Sequence, residues 1–182
     1  MNKKDPTTAM NMRIILFILL GCLVHSAAAA PPQDPAPAPK GGGVEKFDPA
    51  RDAAQDIREA VALAGRTGKH VLLDVGGEWC VWCRRLDTLF AMHPALEEFR
   101  QAHYVTVKVN WSKENRNEEV LSRYPAVKGY PHLFVLDAQG TLLRSQDTGA
   151  LEKGKGHDPE KVMAFLKRWA PSGGTTGNPG GG

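Results

Sequence analysis

The run from Asp74 to Arg85, DVGGEWCVWCRR, constrains the fold more than any other part of this sequence. Ahead of it, Val71 to Val75 reads as a strand buried in a sheet. Gly76 and Gly77 break that strand. Behind it, Leu86, Leu89 and Phe90 recur at helical spacing, so a helix is expected from about Cys80. Cys80 and Cys83 therefore sit in the first turn of a helix that follows directly on a buried strand. Residues three apart share a helix face, and their Cα separation falls inside the range a disulfide tolerates.

That placement has chemical consequences. The unpaired N–H groups and positive dipole end of a helix N-terminus favour a thiolate on the first cysteine. Cys80 is the candidate nucleophile, and Cys83, one turn in and more buried, is the candidate resolving thiol. Attack by Cys80 on a disulfide would give a mixed disulfide that Cys83 releases. Arg84 and Arg85 add positive charge nearby and read first as a solvated helix face. The chain has three cysteines, and the third, Cys22, lies near the N-terminus. Without Cys22, Cys80 and Cys83 can pair only with each other or with a partner protein. A loop this short adds little as a staple, because stabilisation grows with loop length.

The first 29 residues read as a signal peptide. Lys3, Lys4 and Arg13 form a positive start, Ile14 to Val24 is apolar, and Ala27 to Ala30 offer small residues for cleavage. The apolar run is about 11 residues, too short to span a bilayer, which needs about 20. Export places a cysteine pair where disulfides form. In a second expectation, Leu19-Leu20-Gly21-Cys22 acts as a lipidation signal and holds the protein on a membrane. Residues 30–46 are a Pro/Gly-rich linker. Residues 171–182 are a Gly-rich tail without apolar content, expected to be disordered. The formal charge is only +3, with both signs spread along the 182 residues, so there is no nucleic-acid footprint.

Between the tails, helix and strand signals alternate over residues 47–170. Asp48-Pro49 reads as a helix start, with Gly65 and Gly68 at the helix end. Pro94 interrupts the helix that follows Cys83, and Ala95 to Gln101 resume it. Tyr104 to Val109 alternates as a strand. A polar loop from Ser112 to Glu119 leads to a short helix ending before Pro125. His132 to Leu136 and Thr141 to Arg144 form two strands about a turn. Asp158-Pro159 starts a last helix with Val162, Phe165, Leu166 and Trp169 on its inner face. The expected class is α/β, a central mixed sheet flanked by helices.

The run VLLDVGGEWCVWCRRLD resembles the active-site region of the thioredoxin family, as does YPAVKGYPHLFVLDAQGT from Tyr124 to Thr141. The resemblance covers about residues 47–170. It implies a thioredoxin-like fold and thiol–disulfide oxidoreductase activity with protein partners, no cofactor beyond the cysteine pair, a separate thiol–disulfide electron donor, and a monomer. It further implies that Cys80 and Cys83 are the redox pair and that Asp74 is a buried acid assisting proton transfer from the resolving thiol. Pro131 would be a cis proline beside the disulfide, Tyr130 would pair through its backbone with the substrate, and Trp79 would flank the substrate groove. Val81-Trp82 departs from the family's common Gly-Pro. Gly76-Gly77 replaces an aromatic-containing stretch, which implies a more open cleft wall. The variant is more similar to exported thioredoxin-like domains, such as those ending periplasmic electron relays, than to the cytosolic proteins, and this favours the reducing direction.

Other readings stand beside these. Asp74 serves equally as a strand-end hydrogen-bonding group, Trp79 as core packing and Trp82 as an exposed spacer. Cys80, Cys83 and His132 suggest a copper-binding or other metal module instead, although a structural zinc site normally needs four ligands. A non-catalytic interaction domain with a vestigial cysteine pair is a third. Trp111 and Lys128 carry no assignable role.

Overall fold

A computed structural model describes residues 43–172. The signal peptide, Cys22, most of the linker and most of the Gly-rich tail lie outside the described residues. From residue 47 the elements run α1 (Ala53–Thr67), β1 (His70–Gly76), α2 (Val81–Met92), α3 (Pro94–His103), β2 (Tyr104–Asn110), α4 (Glu118–Leu121), β3 (His132–Leu136) and β4 (Leu142–Asp147). A 3₁₀ turn (Thr148–Leu151), a small hairpin of β5 (Glu152–Lys153) and β6 (Gly156–His157), and α5 (Pro159–Trp169) complete the chain.

The central sheet has the order β2-β1-β3-β4 and is mixed: β1 runs parallel to β2 and antiparallel to β3, and β3 runs antiparallel to β4. Both faces are covered, which is why β1, β2 and β3 are buried almost throughout. Val71, Leu73 and Val75 of β1 and Val105, Val107 and Val109 of β2 pack with Ala53, Ala60 and Ala64 of α1. On the opposite face Leu72, Leu133 and Val135 meet Leu86 and Leu89 of α2, Leu96 of α3 and Val162, Phe165 and Leu166 of α5. This is the expected α/β class and a thioredoxin-like architecture, and the two-sided burial puts Asp74, Thr106 and Lys108 inside the protein.

Three local expectations need correction. Asp48-Pro49 does not start α1: the Asp48 carboxylate accepts from the Ala50 N–H in a turn (2.8 Å), and Asp52 caps the helix by accepting from Gln55 N–H (3.0 Å). Asp52 wins because its carboxylate satisfies a first-turn amide that has no partner within the helix. Gly65 lies inside α1, and the helix ends only at Gly68, whose φ of 68° is the left-handed cap a glycine adopts without strain. Composition assigned residues 43–46 to the linker, yet Val44 bridges to Val107: its N–H donates to Thr106 O and its carbonyl accepts from Lys108 N–H, both at 2.9 Å. The 3₁₀ turn and the β5–β6 hairpin had no counterpart in the sequence pattern.

Candidate functional site

The site is built where β1 ends and α2 begins. Gly76 closes β1, Cys80 is the N-cap of α2, and Cys83 lies in its first turn. The two cysteines are joined by a disulfide, with Cα atoms 5.2 Å apart. Cys80 Sγ accepts a hydrogen bond from the Cys83 N–H at 3.1 Å. A sulfur at this spot receives an orphan amide and faces the positive end of α2, so negative charge on Cys80 is favoured. Cys83 is fully buried and Cys80 nearly so, so the expected contrast in burial is slight.

Gly76 and Gly77 do not leave the cleft wall open. A Cβ on Gly76 would stand 2.4 Å from Cys83 Sγ and 3.1 Å from Phe47 Cζ. One on Gly77 would stand 2.4 Å from Trp79 Nε1 and 2.9 Å from Trp111 O. The space that a side chain would take is occupied by the disulfide and by aromatic rings. Gly76→Ala is therefore expected to push Cys83 out of place and cost the oxidised protein about 1–3 kcal/mol, the usual range for overpacking. Urea unfolding of the oxidised form measures this, and a stability equal to that of the parent would show that the site yields.

Beside the disulfide stands an aromatic wall. Trp79, half exposed, donates its indole N–H to Trp111 O at 2.7 Å. The Trp111 ring stacks on Tyr130 with centroids 4.9 Å apart, and Trp79 meets both edge-on. Trp111 N–H donates to Gly76 O at 2.6 Å, so the end of β1 sets the wall's position. Trp111 had no role in the sequence. Only the pairing of Gly76 with Asn110 across β1 and β2 brings it to the site. Tyr130 also packs against the cluster of Phe47, Cys80 and Cys83, and the Tyr130–Pro131 peptide bond is cis. Pro131 O accepts from the Thr148 hydroxyl at 2.6 Å.

Asp74 lies two residues before Gly76, on the sheet face that α2 covers. Its Oδ2 accepts from Lys108 Nζ at 3.1 Å, while its Oδ1 is buried with no partner among the described residues. Lys108 also donates to Asp87 Oδ1 at 2.5 Å and sits 4.2 Å over the Phe47 ring. Burial pushes the Asp74 carboxyl above the usual carboxylate range, although Lys108 opposes the shift. Burial acts to lower the Lys108 ammonium, and the two carboxylates more than reverse it, so Lys108 stays charged. Asp74, Lys108, Asp87, Arg100 and Glu97 line a cavity of about 310 Å³, with room for several waters at roughly 30 Å³ each. Lys108 was missed in the sequence, where a lysine in an alternating strand reads as solvent-facing. No local signal marked it: its place opposite Asp74 follows from the parallel register of β1 and β2.

His132 lies in β3, opposite Val75, with its Nε2 paired to the Ser145 hydroxyl at 2.8 Å. Among the described residues no group of three or more His, Cys, Asp and Glu side chains is placed to hold a metal ion.

A family model described as thioredoxin-like matches residues 52–138. The thiol:disulfide interchange protein DsbD of Pseudomonas fluorescens is 29% identical over 166 residues, covering 85% of this chain and 27% of that protein. The disulfide bond reductase DsbH of Chlamydia pneumoniae is 28% identical over 80 residues, covering 40% of this chain and 48% of that protein. The chain thus spans between a quarter and a half of the length of these relatives. Among solved structures, a disulphide isomerase from Xylella fastidiosa Temecula1 superposes with a TM-score of 0.59 at 26% identity, covering 67% of this chain and 94% of that one. With this sheet order, a cysteine pair capping α2 and a family match that spans every residue of the site from Asp74 to Pro131, residues 52–138 are a thioredoxin-like domain.

Proposed function

We propose that this protein is an exported thiol–disulfide oxidoreductase that reduces disulfides in protein partners. The observation that carries the proposal is the position of Cys80 Sγ, which caps α2 and accepts the Cys83 amide. In the dithiol state Cys80 reacts as the thiolate. It attacks one sulfur of a partner disulfide, a Cys80–partner S–S bond forms, and the other partner sulfur leaves as a thiolate and takes up a proton. The Cys83 thiol then loses its proton, with Asp74 as the acceptor. Cys83 attacks Cys80 Sγ, the Cys80–Cys83 bond forms, and the second partner sulfur leaves. The partner gains two electrons, the pair loses two, and a separate dithiol donor restores it.

The partner's extended segment lies along Tyr130 and Pro131 as an added strand, and Trp79 flanks it, with Trp111 behind. Export rests on the charged, apolar and small-residue succession of the first 29 residues. The reducing direction is supported by the buried acid at Asp74 and by the similarity to a disulfide bond reductase.

The test is the reduction potential of the Cys80–Cys83 couple, read from alkylation mass shifts across glutathione or dithiothreitol buffers. A value near about −270 mV is expected, as for a general reductant. A value near about −120 mV would make the protein an oxidant. The absence of any reversible two-electron transition would reject disulfide exchange altogether.

A further inference from the structure

The β5–β6 hairpin reaches the active site from a distant part of the chain, and no step above uses it. It ends in His157, whose neighbour Asp158 caps α5 by accepting from Glu160 N–H (2.9 Å) and is tied back by its own N–H to Leu151 O (2.8 Å). The His157 backbone is therefore held between a hairpin and a helix cap. Its ring is buried, 6% exposed, and neither nitrogen has a hydrogen-bond partner among the described residues. An imidazole without partners carries a desolvation cost of about 1–3 kcal/mol, so its position calls for an explanation.

The ring meets Trp82, the second residue between the cysteines. The centroids are 5.7 Å apart and the planes cross at 85°, an edge-to-face contact. The Arg85 guanidinium lies over the same indole, 4.5 Å from its centroid. Trp82 also packs on the cluster of Phe47, Cys80 and Cys83. Rather than an exposed spacer, Trp82 is a half-buried ring contacted by both Arg85 and His157. Burial, and then the nearby Arg85 charge, lower the His157 pKa, which keeps the imidazole neutral beside that cation.

We infer that His157 is a positioning residue that sets the redox poise of the Cys80–Cys83 couple by clamping Trp82 in the turn between the two sulfurs. The inference rests on the exchange function proposed above. A turn held in its disulfide geometry keeps each sulfur at a high effective concentration relative to the other. That preorganisation stabilises the disulfide over the dithiol and makes the pair a stronger reductant. A clamp outside the helix tunes this equilibrium without altering the residues that react.

The experiment compares the full chain with His157→Ala, His157→Leu and His157→Phe in dithiothreitol buffers, alongside thermal unfolding. His157→Ala and His157→Leu are expected to move the dithiol–disulfide equilibrium about tenfold towards the dithiol, about 30 mV less negative. His157→Phe, which keeps a flat ring edge on the indole, should stay within about twofold of the parent. In a Trp82→Ala background, His157→Ala should add no further shift. His157→Leu carries the test if the alanine variant does not fold. A lowered Tm with an unchanged equilibrium, or a phenylalanine variant displaced as far as the leucine one, would overturn the inference. A parent couple that is reversible but insensitive to residue 157 sinks only this inference. A parent with no reversible couple sinks the exchange function itself.

Discussion

Cys80→Ser is expected to abolish disulfide reduction, by at least about a thousandfold, the scale on which loss of a covalent nucleophile acts. Cys83→Ser should instead leave a protein that attacks but cannot resolve. The asymmetry follows from the geometry. Cys80 Sγ caps α2 and receives the Cys83 amide. Cys83 is fully enclosed, with its sulfur against the position a Gly76 side chain would take. An oxygen in place of Cys80 Sγ still accepts the amide but cannot form the S–S bond, so the fold survives and the chemistry stops. With Cys83→Ser, the Cys80–partner bond lacks its internal attacker and persists. Non-reducing gels and intact mass after incubation with an oxidised model protein check both outcomes. Reductase activity at parental level in Cys80→Ser would remove Cys80 from the mechanism.

The second large effect is expected at the buried Asp74–Lys108 pair. Lys108→Met leaves the Asp74 carboxyl enclosed without its cation, and removing one partner of a buried pair costs about 3–5 kcal/mol. Asp74→Asn does the reverse. It removes a charge that burial disfavours, while Lys108 keeps Asp87 as an acceptor at 2.5 Å. The sign of the pH dependence comes from the raised Asp74 pKa. A folded-state value above the unfolded one means that the folded protein holds the proton more tightly. The associated stability is present in full below the unfolded value, near 4, and is lost as pH rises through the folded value. Asp74→Asn escapes that loss, so its Tm should exceed the parent's at neutral pH and converge on it in acid. The Lys108→Met deficit should likewise shrink in acid, once Asp74 is protonated. The asparagine variant should resolve mixed disulfides about a hundredfold more slowly, the scale of general base catalysis. Thermal unfolding from pH 3 to 8 and stopped-flow resolution kinetics check the pair of effects. An unchanged resolution rate would leave Asp74 a structural group only.

Asp48-Pro49 and Asp158-Pro159 show where local information ends. Both dipeptides carry the same signal for a helix start, and only the second starts one. Asp158 is fixed from behind by its N–H to Leu151 O, so its carboxylate can serve the first turn of α5. Asp48 follows Phe47, which is buried against the disulfide, and its carboxylate closes a turn instead. The difference lies in contacts made outside each dipeptide, with Leu151 O in one case and around Phe47 in the other, and the dipeptide does not encode them.

The sequence by itself determined the strand–helix junction, the cysteine pair at its turn, the mixed α/β class and the helix at Pro159. These depend on apolar periodicity, caps and spacing within a few residues, and neighbours along the chain carry them. Only the tertiary structure decided that Lys108 meets Asp74, that Trp111 closes the wall beside Trp79, and that His157 leans on Trp82. Each of those contacts joins segments far apart in sequence. The first two depend on the parallel register of β1 and β2, where a shift of one residue would turn Lys108 to the opposite face. The third depends on a hairpin packing against α2, for which no periodic pattern gives a signal. A site made of side chains from several elements is set by how those elements pack, and that packing is settled by the summed burial of the whole core.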